Sequence, residues 1–211
     1  MHDNSLISNV TITGGAPGIS VENRAIIENC MIKDFQQMGI DAKLSDSEII
    51  IKNSEMFNGN NKGVYIQKGR KIIIDSNKIY NNHGEGLDVR AYVSGVISNN
   101  EIYKNSESGI ELIVGGSTLD ISKNNIWGNE SAGITAQYYQ ESPETGNIVI
   151  QANHISVTNP EKFSITVQSP SGGTGRQENY WRDSIKIFDD NIIEGEIKNR
   201  SLEITGNNTS D

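Results

Sequence analysis

The sequence predicts an all-β chain of one domain over residues 1–211, folded as a right-handed parallel β-helix. Three observations predict this fold: a phrase that repeats along the chain, a glycine that recurs in each repeat, and short runs in which aliphatic and polar residues alternate. A repeat of about 23 residues with three short strands fits one coil of such a helix. The chain has 21 glycines and 4 prolines, and its many asparagines favour turns over helices.

The repeated phrase defines the coils, and its clearest copy reads IIIDSNKIYNNHGEGLDV. Its copies, the first of them loose, cover 26–42, 49–66, 72–89, 95–112, 119–136, 147–168 and 184–195. The glycine before the last strand of a copy falls at Gly18, Gly39, Gly63, Gly86, Gly109 and Gly133.

Each copy contains three short β runs, as at Ile72–Ile74, Lys78–Tyr80 and Leu87–Val89. Alternation places Ile, Val or Leu on one face of each run, and turns rich in Asn, Gly and Ser separate the runs. Six-residue repeats would favour a left-handed β-helix, and Gly-Asp nonapeptides a calcium-binding roll. Neither pattern occurs, and the units lack the leucines and helical segment of leucine-rich repeats.

Equivalent positions in successive coils are expected to stack about 4.8 Å apart. Stacked asparagines can bond from rung to rung and satisfy the polar groups of buried turns. Two such ladders are predicted, one of Asn77, Asn100, Asn124 and Asn153, the other of Asn82, Asn105 and Asn129. An aromatic column is interpreted as packing between rungs rather than as a platform for sugars; it consists of Phe57, Tyr80, Tyr103 and Trp127.

The strand after each glycine carries two predicted columns of outward side chains. The first is Ser20, Asp41, Tyr65, Asp88, Glu111, Thr135 and Thr166; the second is Glu22, Lys43, Gln67, Arg90, Ile113, Gln137 and Gln168. Asp88 and Glu111 on adjacent rungs should repel each other. A cation, Arg90 or a raised pKa would relieve that repulsion. A solvated charged surface is the alternative interpretation.

Two excursions interrupt the coil, at 138–147 and 169–184. Both leave at the end of the charged strand, so they could form the walls of a cleft, as long loops on rigid scaffolds often do. The second excursion carries Arg176, Tyr180 and Trp181, a combination of cation and aromatic rings suited to an acidic sugar. A flap that covers the end of the solenoid or an apolar patch is the alternative.

Composition excludes several classes of protein. A net charge of −9 argues against nucleic acid as a partner, and no apolar run of about 18 residues is long enough for a membrane span. The first residues do not form a signal peptide, which leaves a cytoplasmic chain or a trimmed piece of an exported one. Cys30 is the single cysteine and is expected to be a small buried hydrophobe. No two histidines share a spacing suited to zinc.

The repeats resemble the pectate-lyase-like superfamily of β-helices, and within it the mannuronan C5-epimerase catalytic module. The carrying residues are the phrase NxI[YW]xNxxxxG[IVL] over 77–134 and the ending ITVQSPSGGTGRQENYWRDSIKIFDDNIIEG over 165–195. The resemblance implies a Gly-aromatic-Asp-Pro-His element, of which this chain keeps Gly86 and Asp88 but has Val89 and Arg90 for the last two. Alignment from the ending backward would instead put the catalytic coil near 18–22, which has no triad.

The resemblance implies an extracellular or cell-surface protein that acts on an acidic polysaccharide or oligosaccharide by proton abstraction at C5, as an epimerase or lyase. Calcium is the cofactor considered. Catalytic candidates are Asp88, Arg90, Glu111, Tyr65 and His83; substrate-binding candidates are Asp41, Lys43, Gln67, Gln137, Tyr138, Arg176, Tyr180 and Trp181; metal candidates are Asp41, Asp88 and Glu111.

The sequence leaves three further functions open. A glycosidase could use Asp88 and Glu111 as a carboxylate pair about 5 Å apart. The chain could also be a non-catalytic carbohydrate-binding module, or a structural segment of a larger surface protein. Solenoid ends need caps, so further coils or a partner subunit are expected at the N-terminal end.

Overall fold

A computed structural model of the chain describes residues 5–43, 48–169, 177–198, 202 and 204–206. Over these residues it contains 24 strands and one helix, α1 (Gln177–Ser184). Every strand pairing is parallel, and the strands follow one another through three sheets, here sheets A, B and C, before the next coil begins. The predicted β-helix with three strands per coil is therefore confirmed.

Sheet A takes the first strand of each coil. Its strands are β1 (Ser5–Ser8), β4 (Ala25–Glu28), β7 (Glu48–Lys52), the second half of β9 (Val64–Asp75), β12 (Val93–Ser98), β15 (Thr118–Ser122), β18 (Asn147–Gln151), β21 (Ile185–Phe188) and β24 (Ile204–Thr205). Because β9 runs without a break from sheet C into sheet A, these two sheets are continuous at that coil.

Sheets B and C take the second and third strands. Sheet B has β2 (Thr11–Thr13), β5 (Met31–Lys33), β8 (Glu55–Phe57), β10 (Lys78–Tyr80), β13 (Glu101–Tyr103), β16 (Asn125–Trp127), β19 (His154–Ser156) and β22 (Ile192–Glu194). Sheet C has β3 (Ile19–Val21), β6 (Ile40–Lys43), the first half of β9, β11 (Leu87–Val89), β14 (Ile110–Ile113), β17 (Ala132–Gln137), β20 (Phe163–Gln168) and β23 (Glu196–Lys198).

The core is a column of aliphatic side chains inside the coil. On sheet A, Ile51, Ile74 and Ile97 stack in register, and each is 0% exposed. Cys30 is also buried, at 3%, and its Sγ donates to the Glu28 carbonyl at 3.2 Å. Alternation therefore buries one side of strands such as β7 and β18, as the sequence predicts.

Both asparagine ladders are confirmed. In the first, Asn77 Nδ2 donates to Asn100 Oδ1 at 3.0 Å, and Asn100 Nδ2 donates to Asn124 Oδ1 at 2.9 Å. In the second, Asn82 Nδ2 donates to Asn105 Oδ1 at 3.0 Å. The residue before a ladder asparagine takes positive φ, as at Asn99 (φ 55°), and this left-handed conformation turns the chain from one sheet into the next.

The repeat glycines allow coils to approach closely. A Cβ at Gly86 would lie 2.7 Å from the Gly109 carbonyl oxygen and 2.6 Å from Ile102 Cγ2. No larger residue fits there without displacing the next rung, which explains why a glycine recurs at this position.

The aromatic column is stacked between rungs, as interpreted from the sequence. Phe57 and Tyr80 lie 4.8 Å apart between ring centroids, Tyr80 and Tyr103 4.9 Å, and Tyr103 and Trp127 4.3 Å, with interplanar angles of at most 9°. The two tyrosine rings thus have both faces covered by neighbouring rings, which leaves only ring edges for solvent.

The second excursion is partly helical. It ends in α1, which packs against β18 and β21, so part of the predicted loop is helical. No helix in the described ranges has the length and apolar character needed to cross a membrane.

Candidate functional site

The outward positions of sheet C form the predicted first column. The ladder pairs Asp41 with Tyr65, Tyr65 with Asp88, and Asp88 with Glu111. The column continues from Glu111 to Thr135. Successive coils therefore bring three acids and a tyrosine onto one face, within four rungs.

Asp88 lies at the centre of this face, and its side chain is 0% exposed. Lys62 Nζ is 2.7 Å from Asp88 Oδ2, and Arg90 Nη1 is 3.8 Å from the same oxygen. Neither Asp88 oxygen accepts a hydrogen bond of regular geometry from the described residues, so the ion pair with Lys62 is close but poorly aligned. Burial raises the pKa of Asp88, although the charges of Lys62 and Arg90 oppose the rise.

Lys62 and Glu85, neither of them a candidate from the sequence, also belong to the charged cluster, and the Glu107 carboxyl interacts with that of Glu85. Lys62 Nζ bridges Asp88 and Glu85, lying 2.7 Å from Glu85 Oε2. Burial alone would lower the pKa of Lys62, but the charges of Asp88 and Glu85 and the hydrogen bond to Glu85 raise it. Burial likewise opposes ionisation of Glu85, but the hydrogen bond and charge of Lys62, together with a backbone hydrogen bond, lower its pKa. Lys62 stands directly before Gly63 and Glu85 directly before Gly86. That shared position in the repeat is the signal in the sequence that could have identified both residues.

Glu111 is the acid best suited to proton exchange. It is partly buried, and Gln137 Nε2 donates to its Oε2 at 2.9 Å. Burial, followed by the charges of Glu85 and Asp88, raises the pKa of Glu111 to about 7. Gln137 itself is 8% exposed, so its contact with Glu111 leaves little of it for a ligand.

Tyr65 lies between Asp41 and Asp88 on the same face. Burial raises its pKa, with the negative charge of Asp88 adding to the rise and Arg90 opposing it. Lys62 Nζ lies 5.6 Å from the centroid of the tyrosine ring. The phenol therefore stays protonated at neutral pH and can act as a proton donor.

Asp41 belongs to a separate group on this face. It is 2% exposed, accepts a hydrogen bond from Gln67 Nε2 at 2.8 Å, and lies 3.3 Å from Lys43 Nζ. A bulge after Ala42 pairs Lys43 with Lys68, so the expected alignment of Lys43 with Gln67 in the second outward column is wrong.

A cleft of about 390 Å³ opens beside the cluster, and the first excursion forms one wall. Arg90 lies at the cleft with its Cζ 5.4 Å from the centroid of the Tyr139 ring. Gln67, Tyr92 and Glu141 also line it. Ile113 lines the cleft as well but is only 4% exposed, so the outward position predicted for it is covered.

The aromatic residues predicted to contact substrate are mostly buried instead. Tyr180 is 5% exposed, Trp181 2% and Tyr138 9%. Tyr138 and Tyr180 pack edge to face, with ring centroids 4.9 Å apart, and Tyr180 Oη donates to the Glu144 carbonyl at 3.0 Å. This geometry holds the first excursion against α1 and gives no support to direct contact between these rings and a ligand.

Two other candidates remain, His83 and Arg176. His83 is exposed in the turn before Gly84, while the cation beside Asp88 is Lys62. Arg176 lies outside the described residues.

The acids that converge are Glu85, Asp88 and Glu111, with one oxygen of each within 4.8 Å of the others. Oxygen ligands of this kind suit calcium. However, Lys62 Nζ already lies 2.7 Å from both Glu85 and Asp88, so a cation would have to displace the ammonium. The three acids and Lys62 as arranged do not fit a calcium ion. Asp41, expected as a ligand, is not part of this group.

Comparisons with known proteins agree with the fold. A family model described as right handed beta helix region matches residues 1–147 and 50–210. The A-module of the mannuronan C-5 epimerase AlgE4 from Azotobacter vinelandii has a similar structure, with a TM-score of 0.69 and 16% sequence identity. The similarity covers 95% of this chain and 57% of that one, so the chain spans little more than half of that module. No curated protein matches the chain by sequence. The resemblance read from the repeat is confirmed at the level of fold.

Proposed function

The chain belongs to the family of right-handed β-helix regions, and from this premise we propose that it acts on an acidic polysaccharide by removing the proton beside a uronate carboxylate. One observation carries the proposal. A guanidinium at the cleft, that of Arg90, lies near Glu111, a carboxyl whose pKa is raised to about 7. Similarity to an epimerase module supports the same class of substrate.

The proposed roles follow from position and charge. Arg90 neutralises the uronate carboxylate, which makes the neighbouring C5 proton more acidic. Glu111, once ionised, takes that proton, because a base with a pKa near the working pH is the most effective. The electron pair of the broken C–H bond moves into the uronate carboxylate.

Tyr65 supplies a proton in either reaction, epimerisation or elimination. In epimerisation, its phenol returns a proton to the opposite face of C5. In a lyase reaction, the electron pair instead forms the C4–C5 double bond, and the phenol protonates the departing glycosidic oxygen. Asp88 is buried, so it acts as a positioning residue that holds Lys62 and Arg90 rather than touching the sugar.

A non-catalytic carbohydrate-binding module is the second candidate. The burial of Asp88 and the Gln137–Glu111 hydrogen bond favour it, because both acids are engaged within the protein. In this case Arg90 and Tyr139 would bind an acidic glycan without turnover. An extracellular location would suit either candidate.

The test is incubation with alginate and with pectate in deuterated water. Deuterium at C5, read by NMR, reports proton abstraction, and ultraviolet absorbance reports unsaturated uronates. We expect Glu111→Gln to reduce the rate by about 100-fold or more. The control Glu101→Gln, an exposed acid on sheet B (side chain 46% exposed), should leave the rate unchanged.

Failure of the wild-type protein to exchange deuterium on either polymer, with binding retained in affinity electrophoresis, would contradict the enzyme and establish the binding module. Neither exchange nor binding would overturn both.

A further inference from the structure

An aliphatic column crosses the outer face of sheet A, away from the cluster on sheet C. The ladders place Leu6 opposite Ile26, Ile26 opposite Ile50, and Ile50 opposite Ile73. Val96 follows Ile73, and the column ends at Asp120, a charged residue on the next rung. We call the set from Leu6 to Val96 the aliphatic column.

These side chains are outward and accessible. Leu6 is 62% exposed and Val96 36%, and the three isoleucines between them are partly exposed. Their inward neighbours on the same strands, such as Ile27 and Ile51, are 0% exposed. The solenoid thus has a second row of aliphatic residues on a face where strands normally present polar ones.

Charged residues flank the aliphatic column in an ordered pattern. On three successive rungs, each central isoleucine has opposite charges two residues before and two residues after it, and the sign alternates from rung to rung. The rungs are Arg24-Ile26-Glu28, Glu48-Ile50-Lys52 and Lys71-Ile73-Asp75.

The residues two positions before each isoleucine, Arg24, Glu48 and Lys71, form the first flank. Within one copy of the chain, they make ion pairs with one another. Arg24 Nε lies 2.9 Å from Glu48 Oε2, and Lys71 Nζ lies 2.7 Å from Glu48 Oε1. This flank therefore carries one net positive charge over the three rungs. The residues two positions after each isoleucine, Glu28, Lys52 and Asp75, form the second flank, which carries one net negative charge. The two flanks of the same face are complementary to each other.

We propose that the aliphatic column is a self-association surface, and that its partner is a second copy of this chain. The copies meet face to face with their solenoid axes parallel, related by a two-fold axis that runs along the column. This operation brings the first flank of one copy onto the second flank of the other at the same rung. Arg24 then faces Glu28 of the other copy, and Glu48 faces its Lys52.

Charge decides the orientation. In an antiparallel pair, each flank would meet itself in reverse order. Glu48 would then face Glu48 of the other copy, and Arg24 would face Lys71, so like charges would oppose one another. Rim charges of this kind set orientation and partner choice more than affinity, while the aliphatic column supplies the apolar contact.

The size of the surface predicts weak association. Five rungs about 4.8 Å apart and strands of about five residues give roughly 400 Å² on each copy, or about 800 Å² in total. That is below the standard interface and in the range of transient complexes. The dimer should therefore form at high protein concentration and dissociate on dilution.

The first experiment measures mass by sedimentation equilibrium between about 10 µM and 1 mM protein. We expect the weight-average mass to rise from the 23.1 kDa of one chain toward twice that value. Ile50→Lys should abolish the rise. The matched control is Met31→Lys, since Met31 is 37% exposed on sheet B and lies off the proposed surface. A mass that stays at one chain throughout, or a rise that Ile50→Lys leaves unchanged, overturns the proposal.

The second experiment tests the orientation by charge exchange. Lys52→Glu places acid against Glu48 of the other copy, and Glu48→Lys places base against Lys52, so each variant alone should associate at least ten-fold more weakly. An equimolar mixture should recover the wild-type affinity as a heterodimer, because both exchanged pairs are then opposite in charge. Absence of recovery, with both variants folded by circular dichroism, contradicts the parallel arrangement.

Discussion

At the scale of single residues, the central feature is a strand acid that is fully buried although its position is outward. The sequence predicted Asp88 on the outer face, with a cation, Arg90 or a raised pKa to relieve its repulsion with Glu111. The structure adds Lys62, which is 2.7 Å from Asp88, whereas Arg90 is 3.8 Å away. A buried charge without a partner is strongly destabilising, and the charge of Lys62 opposes the rise that burial causes in the pKa of Asp88.

Strand alternation could not reveal Lys62 because it stands in a turn, where the period-two pattern does not apply. Its repeat position does carry information. Lys62, Glu85 and Ser108 each come directly before a repeat glycine, so they form a column beside the strand column. Reading columns through turns as well as strands would have assembled the cluster.

The raised pKa of Glu111 leads to a prediction on stability. Its pKa is about 7 in the folded chain against an ordinary value of 4.5. The folded state therefore keeps a proton that the unfolded state releases between these values, and stability falls as pH rises through this window. We expect Glu111→Gln to become more stable than wild type above pH 7, by roughly 1–2 kcal/mol because solvent screens part of the effect. Urea unfolding at several pH values measures the difference.

Glu111→Asp is the matched variant, since it keeps a titratable carboxyl at the same position and should keep a stability that depends on pH. A difference between Glu111→Gln and wild type that stays constant from about pH 4.5 to pH 8 would show that burial does not raise the pKa of Glu111.

At the scale of elements, the asparagine ladder is the turn structure that the sequence predicted best. Asn100 Nδ2 donates to the Ile74 carbonyl and to Asn124 Oδ1, and its Oδ1 accepts from the backbone and side-chain amides of Asn77. This side chain thus satisfies four buried groups on the coil before and the coil after its own.

We therefore expect Asn100→Ala to lower the free energy of unfolding by about 2–5 kcal/mol, because several buried polar groups lose their partners at once. The control Asn125→Ala removes an exposed asparagine from β16 and should change stability by about 0.5 kcal/mol or less. Denaturant unfolding of the two variants measures both values. Equal effects would mean that the ladder adds nothing beyond ordinary turn propensity.

The sequence predicted the two excursions as walls of a cleft, with aromatic residues of the second in contact with an acidic sugar. The strands before them end at Gln137 and Gln168, and the first excursion forms a wall of the cleft. Tyr180 and Trp181, however, pack inward within α1 and do not line the cleft. An aromatic residue in a loop has the same composition whether it binds a sugar or anchors a neighbouring segment, so only packing distinguishes the two roles.

At the scale of the whole molecule, the prediction of the fold rested mostly on the length of the sequence repeat. A step of 21 to 24 residues between repeat glycines sets the register of all three sheets, so pairings such as Lys78 with Glu101 follow from the sequence alone. The β bulge after Ala42 breaks that step locally, and the alignment of Lys43 failed there. Burial by residues that are distant in sequence shifts the pKa values and shapes the cleft. This burial depends on the two excursions, which do not repeat, so the repeat period does not predict it.

A solenoid in which each coil contacts only its neighbours should also lose structure from its ends. In the described chain, β1 pairs only with β4, and β24 pairs only with β21, whereas β12 lies between β9 and β15. Terminal coils therefore have one stabilising interface and central coils have two. We expect native-state hydrogen exchange, measured on dilute protein, to be slowest in β9, β12 and β13 and to become progressively faster toward β2 and β23. The free energies of opening should span a range of several kcal/mol, as local and global openings do in other proteins. Asn100→Ala should reduce the difference in opening free energy between central and terminal coils, because it destabilises the central coils. Uniform opening energies from the first coil to the last would show instead that the coils unfold as a single cooperative unit.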